Sequence, residues 1–278
     1  MQMNRLKGNY YFFIVLLGMM FLGYSCGARQ ERETRAITEN KERDELILRS
    51  IEGLEDYPIP TSVEVIDMLQ RAGAAYILGI SNSPANVDRY FTEHSKALNL
   101  GVYGADLSYA ATYEMNQDIR RYLQVCKQLI DELNISTSFN QGFVQRVERN
   151  LDNKDSLIKI VSESFYDTYT FLTDNRRDDL ALLVITGSWI EGMYLTSQIA
   201  IGARDNTEIT DVIIRQNEPL ERLIELLDCH EDDAFIHSIY NDLKKIYELI
   251  SNQQSPMSGS ALDSFSEKIE RLRTRIVS

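Results

Sequence analysis

Hydrophobic residues recur at helical spacing along nearly the whole chain from about residue 44 onward. The first apolar stripe covers 46–54 and ends before Pro58, because proline cannot continue a helix. A second helix is predicted over 63–80, and Pro84 stands near the first position of the next. The pattern therefore predicts consecutive helices joined by short loops.

Further helical segments follow with few interruptions, and no segment of the chain alternates with period 2 as an exposed strand would. The predicted fold class is all-α: a multi-helix bundle or stacked antiparallel helical hairpins, with about nine or ten helices. With no long linker between them, they are interpreted as a single helical domain over 46–278. The remaining helices are predicted over 85–98, 100–115, 117–133, 139–151, 154–174, 179–203, 208–228, 232–251 and 261–276.

The amino terminus has a different pattern. Arg5 and Lys7 precede a 13-residue apolar run, Tyr10–Leu22. A membrane-spanning helix needs about 20 apolar residues, so this run is too short to span a bilayer. A short positive segment followed by such a run is typical of a secretory signal peptide, predicted here over 1–25.

Cys26 follows the apolar run directly, and the junction resembles the lipobox of bacterial lipoproteins, which implies lipidation of Cys26. The resemblance is partial, since Leu22 lies at −4 and the bulky Tyr24 at −2 from the cysteine. Gly23 and Ser25 also fit an ordinary signal-peptidase site. The preferred prediction is a membrane-anchored lipoprotein of the cell envelope, placed at the outer membrane. The alternative is a soluble periplasmic or secreted protein.

Residues 26–45 contain almost no large apolar side chain and are predicted to form the lipidated terminus and a charged tether. Removal of 1–25 takes away two of 29 basic residues and none of 42 acidic ones, so the net charge changes from −13 to −15. Such a charge argues against nucleic-acid binding, which relies on lysine and arginine. The membrane contact is therefore assigned to the lipid anchor.

Two segments 86 residues apart share a pattern: Leu100-Gly101-Val102-Tyr103 and Thr186-Gly187-Ser188-Trp189. Duplication and chance both explain a similarity this weak. Residues 109–130 also resemble one tetratricopeptide helix pair, but the pattern does not recur at that family's period. We interpret them as one antiparallel helix pair. Small residues at helical spacing between Gly101 and Ala111 predict a close, buried helix crossing.

Two carboxylates lie inside otherwise apolar helices: Asp106 and Glu191. If they face each other in the bundle, burial shifts their pKa values and the pair suits acid–base chemistry or binding of a cation or amine. With Tyr103 and Trp189 they form the candidate ligand pocket. The simpler interpretation is hydrogen bonding to nearby tyrosines or partial exposure, and it is preferred.

The segment that starts at Cys229 and His230 offers a weaker candidate site, because Asp233 and His237 share a helix face. Imidazole and carboxylate ligands suit zinc, but the cluster lacks a complete tetrahedral set, and Asp232 or Asp233 also fits a helix cap. No metal or cofactor is therefore predicted. Cys126 and Cys229 are expected to be buried thiols, with a disulfide between them as the alternative.

Three stretches, GVYGADLSYA, LDNKDSLIKIVSESFYDTYTFL and LLVITGSWIEGMYLTSQI, together with the signal and tether, resemble uncharacterised all-helical lipoproteins of Bacteroidetes-type bacteria. The resemblance implies an envelope location and an all-α fold, and no activity. The common hydrolase, redox and nucleotide-binding motifs are absent from the sequence. We therefore expect a non-enzymatic binding or interaction protein with an unknown protein or small-molecule partner. The alternative is a ligand-sensing or carrier bundle that uses the tyrosine and carboxylate pocket.

Overall fold

Ten α-helices and one short 3-10 helix make up the regular structure of the described part of the chain, residues 62–135, 137–230 and 232–278 of a computed structural model. No strand occurs within these residues, and the all-α prediction is confirmed. The predicted signal peptide, Cys26, the tether and the stripe over 46–54 lie outside them. The α-helices are α1 Ser62–Arg71, α2 Glu93–Thr112, α3 Asn116–Glu132, α4 Thr137–Arg149, α5 Lys154–Asp174, α6 Asp178–Gly202, α7 Thr207–Ile214, α8 Asn217–Asp228, α9 Ala234–Ile250 and α10 Gly259–Val277.

The helix predicted over 63–80 ends early, at Arg71. Gly73 adopts φ +78°, a conformation that side chains disfavour. Its N–H bonds to the carbonyl of Gln70, and the N–H of Ala74 bonds to that of Leu69. This pair of bonds around a left-handed glycine is the Schellman motif, which closes a helix. The residues from 72 to 83 are consequently a loop, which lies over the core.

The boundary between the two helices predicted over 85–98 and 100–115 lies earlier in the chain than expected. A 3-10 helix covers Pro84–Arg89, and α2 then begins at a capping box between Thr92 and Ser95. The helix continues through Gly101, where a break was expected. Glycine here does not end the helix; it permits a close approach by a neighbour.

The helix predicted over 208–228 is also two helices, α7 and α8, with the break at Arg215 and Gln216. Pro219 explains it. Its nitrogen has no hydrogen to donate to the carbonyl of Arg215, and its ring would clash with that carbonyl in a continuous helix. Proline is tolerated only because α8 starts just before it.

Helices α2 and α6 form the centre of the bundle and run side by side in the same direction. Their amino-terminal ends are joined by two polar contacts: His94 Nε2 lies 3.3 Å from Asp179 Oδ2, and Arg177 Nη2 forms an ion pair with Glu93 Oε1 at 2.8 Å. Farther along, a Cβ built on Gly101 would lie 2.0 Å from the carbonyl oxygen of Val184. The predicted small-residue crossing is therefore confirmed.

Gly187 of α6 makes the reciprocal contact, since a Cβ there would lie 1.8 Å from the carbonyl oxygen of Leu98. The two glycines of the 86-residue similarity thus lie at one crossing. Whether the similarity reflects duplication stays open. The tetratricopeptide-like segment forms the hairpin of α2 and α3, which Lys96 and Glu132 join at 2.8 Å.

Within the described residues, α6 is the one helix long and apolar enough to cross a membrane. Its most apolar window is 94% buried inside the protein, against α2, α10, α5, α7 and α1. Burial on every side accounts for its composition, because a helix with no solvent-exposed face needs no polar face.

Candidate functional site

Asp106 of α2 and Glu191 of α6 are both fully buried, with no exposed surface. The parallel course of the two helices brings the carboxyls close enough to interact electrostatically. This is the arrangement that the sequence left as the less favoured possibility. The preferred expectation of partial exposure is wrong.

Arg273 of α10 completes the cluster. Its Nε donates to Glu191 Oε2 at 2.9 Å and its Nη2 to Glu191 Oε1 at 3.0 Å, a bidentate pair. The guanidinium carbon also lies 4.4 Å from the ring centre of Tyr194, one helical turn after Glu191, so it stacks on an aromatic face. The Arg273 side chain is 13% exposed, and the ion pair is largely shielded from water.

The two acids differ in their electrostatic surroundings. Burial and the neighbouring Glu191 charge raise the pKa of Asp106 well above its usual range, and Arg273 opposes the shift incompletely. Burial also raises the pKa of Glu191, but Arg273 is in direct contact with it and favours its charged form. Although burial alone lowers the pKa of Arg273, the Glu191 carboxylate outweighs it and raises that pKa. We infer that Asp106 holds a proton and that Glu191 and Arg273 are the ion pair.

The loop over 72–83 covers the same cluster. The backbone N–H of Asn82 donates to Asp106 Oδ2 at 3.0 Å. Asp106 Oδ1 is buried and has no hydrogen-bond partner among the described residues. An oxygen without a donor is the natural position for the proton that we infer on Asp106.

Tyr103 is fully buried beside the acids, and its hydroxyl donates to the carbonyl of Ser83 at 2.8 Å. Burial, with the nearby Tyr90 and Asp106, raises its pKa. Its ring centre lies 6.3 Å from those of Tyr90 and Tyr122. The tyrosines thus surround the carboxyls, but the hydrogen bond of Tyr103 goes to the covering loop. The expectation that tyrosines hydrogen-bond to the carboxyls is therefore wrong. The donors are the backbone of Asn82 for Asp106 and the side chain of Arg273 for Glu191.

Trp189 is buried in α6, but no described contact joins it to the acids. It precedes Glu191 by two residues, about 200° around a helix of 3.6 residues per turn, and so faces the other way. Its Nε1 has no acceptor among the described residues. Of the four predicted pocket residues, Tyr103, Asp106 and Glu191 meet, and Trp189 lies on another face.

The decisive residue that sequence reasoning missed is Arg273. In α10, Leu262, Phe265, Ile269, Leu272 and Ile276 form the buried stripe. Arg273 lies beside Leu272 at the edge of that stripe, where long cationic side chains are usually solvated. The sequence gives one signal that Arg273 could be buried. It lies four residues after the buried Ile269, and residues four apart share a helix face.

The candidate metal segment is organised as a helix start. Asp233 Oδ1 accepts from the backbone N–H groups of Phe235 and Ile236 at 2.8 and 3.0 Å, an N-cap. The ring of His230 bonds to the carbonyl of Leu226 at 3.1 Å. No group of three or more metal-type ligands occurs among the described residues, which omit Glu231.

The two cysteines of the described body are free thiols and do not form the alternative disulfide. Cys126 is buried, as predicted, and burial raises the pKa of its thiol. Cys229 is exposed at the end of α8, so the prediction of a buried thiol there is wrong. Cys229 is exposed because it follows the last turn of the amphipathic helix α8, on the side opposite the buried Leu223 and Leu227.

No protein-family profile, curated protein or solved structure matches this chain.

Proposed function

We propose that the protein is a non-enzymatic binding or interaction protein of the cell envelope, anchored in the outer membrane through a lipidated Cys26. The amino-terminal sequence supports the anchor: a short basic segment, an apolar run and a cysteine directly after it. The acidic helical body is then held beside the membrane and stays in water.

The observation that supports the non-enzymatic part is that the fold itself supplies hydrogen-bond donors to three of the four carboxyl oxygens of the buried acids. Glu191 has a hydrogen bond from Arg273 on each oxygen, and Asp106 receives the N–H of Asn82. A general acid or base must reach the atom to which it transfers a proton. These carboxyls instead join α2, α6, α10 and the covering loop, a structural task.

The surface offers apolar positions for a partner. Leu78 and Phe91 are 75% and 84% exposed, the most exposed large apolar side chains of the described residues. Both belong to the connection between α1 and α2. A partner that covered Phe91 and Leu78 would remove their apolar surface from water, so this connection is the place to search for one.

The anchor is tested by growing cells with an alkyne-labelled palmitate and recovering the protein. We expect the parent protein and the Cys229→Ser control to carry label, and Cys26→Ser to carry none. A parent protein that is cut at the signal, unlabelled and released would contradict the anchor and support the soluble alternative.

The interaction is tested with a photo-crosslinking amino acid at position 91 or 78, with the exposed polar position 121 as the control. Irradiation of intact cells is expected to give a discrete adduct from 91 or 78 and none from 121. The proposal fails if none of the three forms an adduct and gene deletion leaves the envelope complexes unchanged.

A second candidate function is ligand sensing or transport in the tyrosine and carboxylate cluster. It is favoured by the kind of segment that covers the cluster. A loop, not a helix, closes the cluster, and Gly73 and Gly79 at its two turns have no atom within 4 Å of an added Cβ. Amines are the ligands to test in a thermal-shift screen, because a ligand that binds only the folded state raises Tm. No stabilising amine in the screen would rule this function out.

A further inference from the structure

A groove separates α9 from α10 on the surface of the bundle, and it has a volume of about 360 Å³. Its floor is apolar, formed by the buried side chains of Ile246 and Leu272. Its size falls within the range of small-molecule sites. The groove is lined by Asp242, Lys245, Ile246, Lys268, Arg271, Leu272 and Arg275.

The charge of this α9–α10 groove is opposite to that of the protein. Four lining residues are cationic and one, Asp242, is acidic, in a chain of net charge −13. Three of the cations, Lys268, Arg271 and Arg275, recur at i, i+3 and i+7 and so share one face of α10. A concave surface with one sign of charge concentrates ions of the other sign.

Asp242 holds two of the cations in place. It lies 3.0 Å from Lys245 Nζ and 2.6 Å from Arg275 Nη1. Partial burial of Asp242 works against its ionisation, but these two contacts hold its pKa below the usual range. The carboxylate therefore stays charged and fixes one cation from each wall of the groove.

The other two cations are available to a ligand. Lys268 has no ion-pair or hydrogen-bond partner among the described residues. Arg271 has one acidic neighbour, Glu267, at 3.6 Å, and both side chains are about 70% exposed. An exposed pair at this separation contributes little and is readily exchanged for a better acceptor.

We propose that the α9–α10 groove binds a phosphate-bearing anion, with Lys268 and Arg271 as its direct partners and Lys245 and Arg275 as the fixed cationic wall. Arginine matches phosphate oxygens in two parallel hydrogen bonds, and lysine adds a point charge. A diphosphate spreads several negative charges over many oxygens, as the groove spreads its cations, whereas one carboxylate carries a single negative charge. The inference deepens the proposed binding function by naming a ligand class.

The test uses the purified mature protein with inorganic pyrophosphate as the probe, against sodium chloride of equal ionic strength. We expect pyrophosphate to raise Tm, because it binds the folded state. The double variant Lys268→Gln/Arg271→Gln is expected to bind about tenfold more weakly or worse. The matched control is Arg120→Gln/Lys127→Gln, which removes the same charge from a groove of about 90 Å³ lined by α3 and α4 residues.

A second arm separates the two sources of phosphate. Monomeric dihexanoyl phosphatidylglycerol is compared with dihexanoyl phosphatidylcholine, which has no net charge. Binding of pyrophosphate alone identifies a soluble phosphate compound, and binding of the phosphatidylglycerol lost in the groove variant identifies an anionic lipid headgroup. The proposal is overturned if neither probe binds, or if the two double variants lose binding equally. Either outcome leaves the anchor and the crosslinking results unaffected, so failure here is distinct from failure of the proposed function.

Discussion

Arg273 and Glu191 are 82 residues apart in the sequence and meet in a bidentate ion pair, at 2.9 and 3.0 Å, inside the helical bundle. The pair joins the last helix to the central one. Taking two charges out of water is unfavourable, and the loss is offset only when geometry and remaining hydrogen bonds are good. Here Arg273 donates to both oxygens of Glu191 and stacks on Tyr194.

Removal of Arg273 alone is expected to be strongly destabilising. In Arg273→Met the Glu191 carboxylate stays buried without its counter-charge, which costs about 3–5 kcal/mol of unfolding free energy. Arg271→Met, two residues earlier and exposed, is the control and should change stability by about 0.5 kcal/mol or less. Urea unfolding of both measures the difference.

The double variant Glu191→Gln/Arg273→Met supports or refutes this explanation. It removes both charges, so it should be more stable than Arg273→Met alone. Equal stability of the double and single variants would show that the packing of the arginine, and not its charge, is what matters.

The proton on Asp106 predicts a pH dependence of stability. Because the folded-state pKa is raised, the stabilising contribution of this group is fully present below its unfolded pKa of about 3.9 and is lost as pH rises through the folded-state pKa. Asp106→Asn keeps the shape and removes the titration. The unfolding free energy of the parent minus that of the variant should fall with pH by up to about 1.4 kcal/mol per unit. Parallel pH profiles would contradict the assignment of the proton.

Helical periodicity anticipates most of this fold because each helix buries one apolar face, and that face is visible in the spacing of residues. The sequence also singled out Asp106 and Glu191, since both acids interrupt apolar helices, but it favoured partial exposure or tyrosine partners over a buried pair. The small-residue spacing from Gly101 to Ala111 predicted the close crossing, but hydrophobic periodicity misplaced the start of the helix. Gly101 was expected at a helix boundary, yet α2 continues through it because the backbone of α6 occupies the space of a side chain.

The burial of Arg273 could not be predicted from the sequence. A cation at the edge of an apolar stripe is normally solvated, and only the buried acid on α6, far away in sequence, gives it a partner. Likewise Cys126 and Cys229 both occur in amphipathic helices, but only the first is on the buried face. Whether each of these side chains is buried or exposed depends on contacts between helices that are distant in the sequence.

The two thiols should differ in reactivity. In the Cys26→Ser protein under native conditions, Ellman's reagent is expected to modify one thiol rapidly, Cys229, and to leave Cys126 unmodified, because burial raises its pKa and blocks access. Urea should release the second thiol. Native labelling that persists in Cys229→Ser would mean that Cys126 is accessible, and the buried position would be wrong.

The crossing of α2 and α6 gives the sharpest prediction about packing. A methyl group on Gly101 would lie 2.0 Å from the carbonyl oxygen of Val184, and one on Gly187 would lie 1.8 Å from that of Leu98. These atoms are backbone, so relief requires the two central helices to separate. We expect Gly101→Ala and Gly187→Ala each to lower the unfolding free energy by about 1–3 kcal/mol or more.

Gly142 in α4 is the matched control, because it is a helical glycine with no atom within 4 Å of an added Cβ. Gly142→Ala should raise the unfolding free energy by up to about 1 kcal/mol, since alanine is the better helix former. Opposite signs for the same substitution would separate steric conflict from helix propensity. If Gly101→Ala stabilises the protein as Gly142→Ala does, the helices do not approach as closely as the structure places them. The pairing of Asp106 with Glu191 would then lose its physical basis, because that pairing depends on the same crossing.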